Sequence, residues 1–172
     1  GAKPIFVDVD QNGTLGTLSV GLNPDAVLYA NLFGTLADYD SIKKFCDSRK
    51  IPLIEDAAQS MGSIYKQIPS GKLGDISVFS FDPMKNLPTF GTGGMVLTDN
   101  DKIYKRIISL RRHGLGSNYE YGYNSLMPED HCNQLLFLFD KFKSLQKKRR
   151  QIASWYFELL PNLNFIRQEE TT

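Results

Sequence analysis

Short apolar runs alternate with segments of helical period over the first two thirds of this chain. Residues 4–9 (PIFVDV) and 26–31 (AVLYAN) predict strands. A helix is predicted over 38–50, with Ile42, Phe45 and Cys46 on one face and Asp38 or Asp40 able to cap its start. Residues 52–56 (PLIED), 76–81 (ISVFSF) and 94–98 (GMVLT) read as further short strands. Residues 99–114 carry Ile103, Tyr104, Ile107 and Ile108 on one side, an amphipathic helix with Gly114 as its stop. Strands this apolar, interleaved with helices, predict an α/β fold: a mostly parallel mixed sheet covered by helices on both faces.

The last third changes character. Residues 115–127 are a loop rich in glycine, tyrosine and asparagine. From Pro128, followed by Glu129 and Asp130, the pattern is helical until about Leu160, with Pro161 as its end. Residues 1–127 are therefore expected to form an α/β core, and 128–172 a long helical segment. The basic run Lys147–Arg150 reads as a solvated helix face. The chain opens directly on a predicted strand without an initiator methionine, so it is expected to be a piece of something longer, or a processed or truncated form.

Composition narrows the function classes. A chain of 172 residues with 41% hydrophobic content is about one domain with a real core. Its net charge of +1 supplies no global field for nucleic acid or an anionic membrane. No run approaches the roughly 18 apolar residues a membrane span needs. Cys46 and Cys132 are too few for a disulfide framework and fit reduced thiols of a cytoplasmic protein. No metal site is expected.

Candidate chemistry gathers at strand ends. Asp56 follows an apolar strand at its carboxyl end, where open α/β sheets place ligands; a helix N-cap is the structural alternative. Lys85 lies just past the end of another apolar strand. A lysine that attacks an aldehyde must be partly desolvated, whereas a lone lysine in a turn is usually a surface residue. Ser80, five residues earlier, can offer a hydroxyl to a phosphate, and Gly91, Gly93 and Gly94 fit a loop approached closely by backbone or ligand. A dinucleotide-binding loop would need its glycines between a strand and a helix; here they precede a strand. A carboxylate, a lysine and a hydroxyl at strand ends together suit pyridoxal phosphate (PLP), held by the lysine as a Schiff base.

The stretch PLIEDAAQSMGSIYKQIPSGKLGDISVFSFDPMKNLPTFGTGGMVLTDN resembles the core of the DegT/DnrJ/StrS sugar aminotransferases, PLP enzymes of fold-type I. The likeness extends to GAKPIFVDVD, FGTLADYD, LRRHG, GYN and RRQIASWYFELL, nearly the whole chain. It implies a large domain truncated at both ends. It further implies transfer of an amino group from glutamate to a nucleotide-linked keto sugar, in a homodimer with shared active sites. Lys85 would hold the cofactor and shuttle the proton, Asp56 would pair with the pyridine nitrogen, and Gln59 would contact the ring's face or hydroxyl edge. Ser80 would bind the phosphate, and Asn124 would reach a phosphate across the dimer interface.

Asn31, Thr92, Leu126 and His131 depart from the family pattern, which bears on substrate contacts and loop geometry. A dehydratase branch carries histidine in place of the lysine, and Lys85 argues against it. His113 is expected to meet a helix dipole or loop, and His131 to be exposed or at an interface. Family members also carry a preceding glycine–threonine turn that grips the phosphate and a small C-terminal domain. The alternative reading is therefore a non-catalytic folded fragment lacking part of the phosphate cup.

Overall fold

The computed structural model describes residues 1–116 and 121–160. Strands β1 (Val27–Ala30), β2 (Leu53–Asp56), β5 (Ile76–Ser80) and β6 (Gly94–Leu97) form one sheet in the order β1-β2-β5-β6. β1, β2 and β5 run parallel, and β6 is antiparallel to β5. Helix α1 (Tyr39–Arg49) makes the crossover that two parallel strands require. Asp38 caps it, accepting from the Ser41 N–H at 3.3 Å and from the Ser41 hydroxyl at 2.6 Å. Helix α2 (Asp101–Leu110) is capped by Asn100, and helix α3 (Glu129–Leu159) runs for 31 residues.

The two-residue period of a strand sorts the sheet's side chains. Val27, Tyr29, Leu53, Glu55 and Ser77 face one side and are buried there. Val27, Tyr29 and Leu53 pack with Ile42 and Cys46 of α1, and each such apolar side chain stabilises the fold by about 1.5–3 kcal/mol. The opposite side stands partly open, with Leu28 63% and Val96 44% exposed. Cover on both faces was expected; the Val27–Leu53 face is buried at β1 and β2, while Met95 on the same face of β6 is 47% exposed.

Three other expectations change. Residues 4–9 form no strand: Val9 bridges only to Leu15. There the chain folds back on itself, since the Asp10 carboxylate accepts from the Thr14 N–H and hydroxyl and the Asp8 carbonyl accepts from Gly16. α2 ends at Leu110 rather than at Gly114, because His113 and Gly114 turn left-handed and Gly114 N–H closes on the Ser109 carbonyl. A hairpin also stands where no strand was expected, β3 (Ile64–Tyr65) with β4 (Ile68–Pro69).

α3 contributes to the core only near its start. Leu135, with Leu138 and Phe142, packs on Phe81, Leu87 and Met61. Lys147–Arg150 are all exposed, and Pro161 lies outside the described residues. No described helix is long and apolar enough to cross a membrane.

Candidate active site

Two loops meet at the carboxyl ends of β2 and β5. The first, after β2, turns at once: Asp56 Oδ1 accepts from Ala58 N–H at 3.0 Å, and Ser60 N–H closes on the Ala57 carbonyl. Asp56 thus caps a turn and not a helix, and its Oδ2 makes no hydrogen bond among the described residues. The second loop, after β5, carries the lysine. Ser80 Oγ accepts from Asp82 N–H at 3.4 Å, Asp82 Oδ1 accepts from Met84 N–H at 3.0 Å, and Lys85 N–H donates to the Asp82 carbonyl at 2.9 Å.

This second loop is pinned at both ends. Phe81 N–H donates to the Gly93 carbonyl and Thr89 N–H to the Phe81 carbonyl, both at 2.8 Å, while Phe81 and Leu87 are buried under Leu135. Asn86 Nδ2 donates to the Met61 carbonyl at 2.8 Å, and Gln146 Nε2 of α3 reaches the same oxygen at 3.2 Å. The lysine loop, the loop after β2 and α3 are therefore one connected unit.

Lys85, Gln59 and Ser80 line a single open cavity of about 570 Å³, together with Phe33, Asp82, Met84 and Asn86. Lys85 is half-buried and makes no ion pair or side-chain hydrogen bond among the described residues. Asp56 is not among the residues that line this cavity. It pairs with Val78 in register, on the same sheet face as Ser80 two residues further along β5. Asn124 is exposed on a separate loop, bridged to Arg112, and does not reach the cavity of its own chain.

The glycine run has a different use from ligand approach. A Cβ on Gly91 would meet the His131 ring at 2.8 Å, one on Gly93 the Met127 sulfur at 2.8 Å, and one on Gly94 the Phe79 carbonyl oxygen at 2.9 Å. The crowding comes from the chain itself, and none of the three glycines lines the cavity. His131, half-buried, packs over Gly91 with Nδ1 at 3.3 Å from the Thr92 carbonyl. His113 is exposed in the loop after α2, where its N–H donates to the Tyr123 carbonyl.

Glu55 was not singled out in the sequence, yet it organises the back of the site. It is fully buried and forms no ion pair among the described residues. Its Oε1 accepts from Asn31 Nδ2 at 3.0 Å and Ser70 Oγ at 2.8 Å. Its Oε2 accepts from Gly71 N–H at 2.9 Å, Leu73 N–H at 3.1 Å and Ser77 Oγ at 2.7 Å. A buried carboxylate is tolerable when donors surround it in this way. Asn31 in turn accepts from Ala37 N–H at 3.0 Å, and Ser60 Oγ lies 2.6 Å from Ser70 Oγ. One carboxylate thus ties together the segments that lead to Phe33, Gln59 and Ser80. Asn31 belongs to this buried network and does not line the cavity. The available signal was strand alternation: Glu55 shares a face with Leu53.

The model of the DegT/DnrJ/EryC1/StrS aminotransferase family matches residues 1–172. The UDP-N-acetyl-3-dehydro-alpha-D-glucosamine 3-aminotransferase of Acidithiobacillus ferrooxidans is 34% identical over 172 residues, covering 95% of this chain and 47% of the relative. Among solved structures, a DegT/DnrJ/EryC1/StrS aminotransferase from Brucella abortus superposes with a TM-score of 0.85 at 30% identity, covering 94% of this chain and 48% of that one. DesV of S. venezuelae, solved with a ketimine intermediate, gives 0.85 at 32% identity, covering 95% and 46%. The chain spans about half the length of each of these proteins. It belongs to the DegT/DnrJ/EryC1/StrS aminotransferase family.

Proposed function

We propose that this chain is the lysine-bearing part of a PLP-dependent aminotransferase that moves an amino group from glutamate to a nucleotide-linked keto sugar. What carries the reading is the gathering of Lys85, Gln59 and Ser80 around one cavity, with Asp56 at the neighbouring strand end. The donor set fits PLP: an amine without a partner among the described residues, a hydroxyl for a phosphate and a carboxylate for a pyridine nitrogen. That cofactor supplies an aldehyde that captures amines and a ring that draws electrons from the attached carbon.

The chain's own groups take defined parts. Lys85 Nζ would hold the cofactor at rest and, once released, would be the base that takes a proton from the amino donor's α-carbon and returns one on the sugar's side. Asp56 would pair with the pyridine nitrogen and favour its protonated form. Gln59 Oε1 is already engaged by Phe33 N–H at 2.9 Å, so its Nε2 is left to donate to the ring's hydroxyl edge. Ser80 Oγ accepts from Asp82 N–H, which leaves its proton to donate to a phosphate oxygen.

Asn124, exposed and away from this cavity, serves the phosphate of a second copy in a homodimer with shared active sites. α3 leads from an α/β core over 1–127 toward a smaller domain. Free thiols at Cys46 and Cys132 support a reducing, cytoplasmic setting.

Titration of the full-length protein with PLP tests the assignment. A visible absorbance band is expected at one cofactor per chain, lost in Lys85→Ala and weakened in Asp56→Asn. A band that persists unchanged in Lys85→Ala would contradict it.

A further inference from the structure

Phe33 occupies a backbone conformation that suits it badly. In the turn Leu32–Gly34 its φ and ψ are 56° and 18°. This left-handed region disfavours an L-residue, and a bulky aromatic there is an outlier. Two contacts hold the turn. Phe33 N–H donates to Gln59 Oε1 at 2.9 Å, and Thr35 N–H donates to the Leu32 carbonyl at 2.9 Å. Neither involves the ring, so glycine could make both.

The ring gains little from its own chain. It is 71% exposed and lines the cavity that holds Lys85, Gln59 and Ser80, as does Met84, which is 91% exposed. A strained backbone opposes folding and the unburied ring does little to offset it, and such local conflicts concentrate at functional sites. Phe33 and Met84 are exposed in the cavity wall, as is Gln59, whereas Lys85 and Ser80 are half-buried. A ligand held at the half-buried amine would extend outward past these two exposed apolar side chains.

We propose that Phe33 is a specificity-determining residue whose ring, set by Gln59, packs against the apolar face of the sugar in a nucleotide-linked substrate, with Met84 beside it. This rests on the aminotransferase reading above. A pyranose presents C–H groups on its faces, and an aromatic ring offers them a negative face and a rigid, low-entropy surface. A diphosphate has no comparable affinity for such a surface.

The test uses full-length protein loaded with PLP. Phe33→Gly removes the ring and relieves the backbone, so its Tm is expected to stay or rise. In calorimetry, the tightest-binding member of a panel of UDP-, dTDP- and GDP-linked hexoses is expected to lose roughly three- to tenfold in affinity. The matching free nucleoside diphosphate keeps its affinity, and Phe33→Tyr keeps most of the binding. A fall in Tm, equal losses for sugar and free diphosphate, no loss for either, or no nucleotide sugar binding to the unsubstituted protein would overturn the inference. Failure of the unsubstituted protein to form the band would instead overturn the aminotransferase reading, and the inference with it.

Discussion

The side-chain amide of Asn31 donates to the Glu55 carboxylate at 3.0 Å, and both residues are withdrawn from water. Every partner of that carboxylate is a donor. Glu55→Gln replaces one acceptor oxygen with an NH₂ that must face an N–H or O–H head-on. The expected loss is about 2–4 kcal/mol, read as a lower urea midpoint at unchanged slope. A midpoint equal to that of the unsubstituted protein would show that the network contributes little.

Tyr29 links the same network to alkaline stability. Burial first, and then the charge of Glu55, pushes its hydroxyl far above its ordinary value, and the hydroxyl donates to the Leu73 carbonyl at 3.1 Å. The folded state keeps this proton after the unfolded chain has lost it. Its contribution is therefore full below about pH 10 and declines as pH rises beyond that. Burial shifts Tyr39 and Tyr65 in the same direction. Tyr29→Phe should lose about 1 kcal/mol near neutrality and show a shallower alkaline decline. Unfolding curves from about pH 8 to about pH 11 check this, and a decline parallel to that of the unsubstituted protein would contradict it.

Much of this architecture was legible in the sequence because apolar runs and helix caps are local signals. β1, β2, β5 and β6, α1 with its Asp38 cap, and α3 all lie within a few residues of where the pattern predicts them. Residues 4–9 misled because a strand-like composition does not supply a pairing partner. The β3–β4 hairpin was hidden by two-residue strands and by a turn, Lys66–Gln67, that lacks the usual asparagine–glycine signature. In the site, Lys85 stood out by its position past a strand end and Ser80 as a hydroxyl five residues before it. The roles of Glu55 and Phe33 emerge only from tertiary structure, since one depends on donors from distant segments and the other on a backbone angle no residue type announces.

That same hairpin offers a stabilising change. Lys66 and Gln67 take φ values of 43° and 73°, the pair of left-handed residues a tight hairpin turn demands. Lys66 also donates to Asp40 at 2.5 Å, whereas Gln67 is exposed. Gln67→Gly should raise stability by about 0.5–1 kcal/mol, seen as a higher Tm, while Gln67→Val should lower it. Equal Tm values for the two variants would mean the turn carries no strain.

The most direct measurement is to reduce the PLP-loaded full-length protein with borohydride, digest it and locate the fixed cofactor by mass spectrometry. The pyridoxyl mass is predicted on the peptide containing Lys85, at about one per chain. Recovery of the label on another lysine, with Lys85 unmodified, would contradict the account.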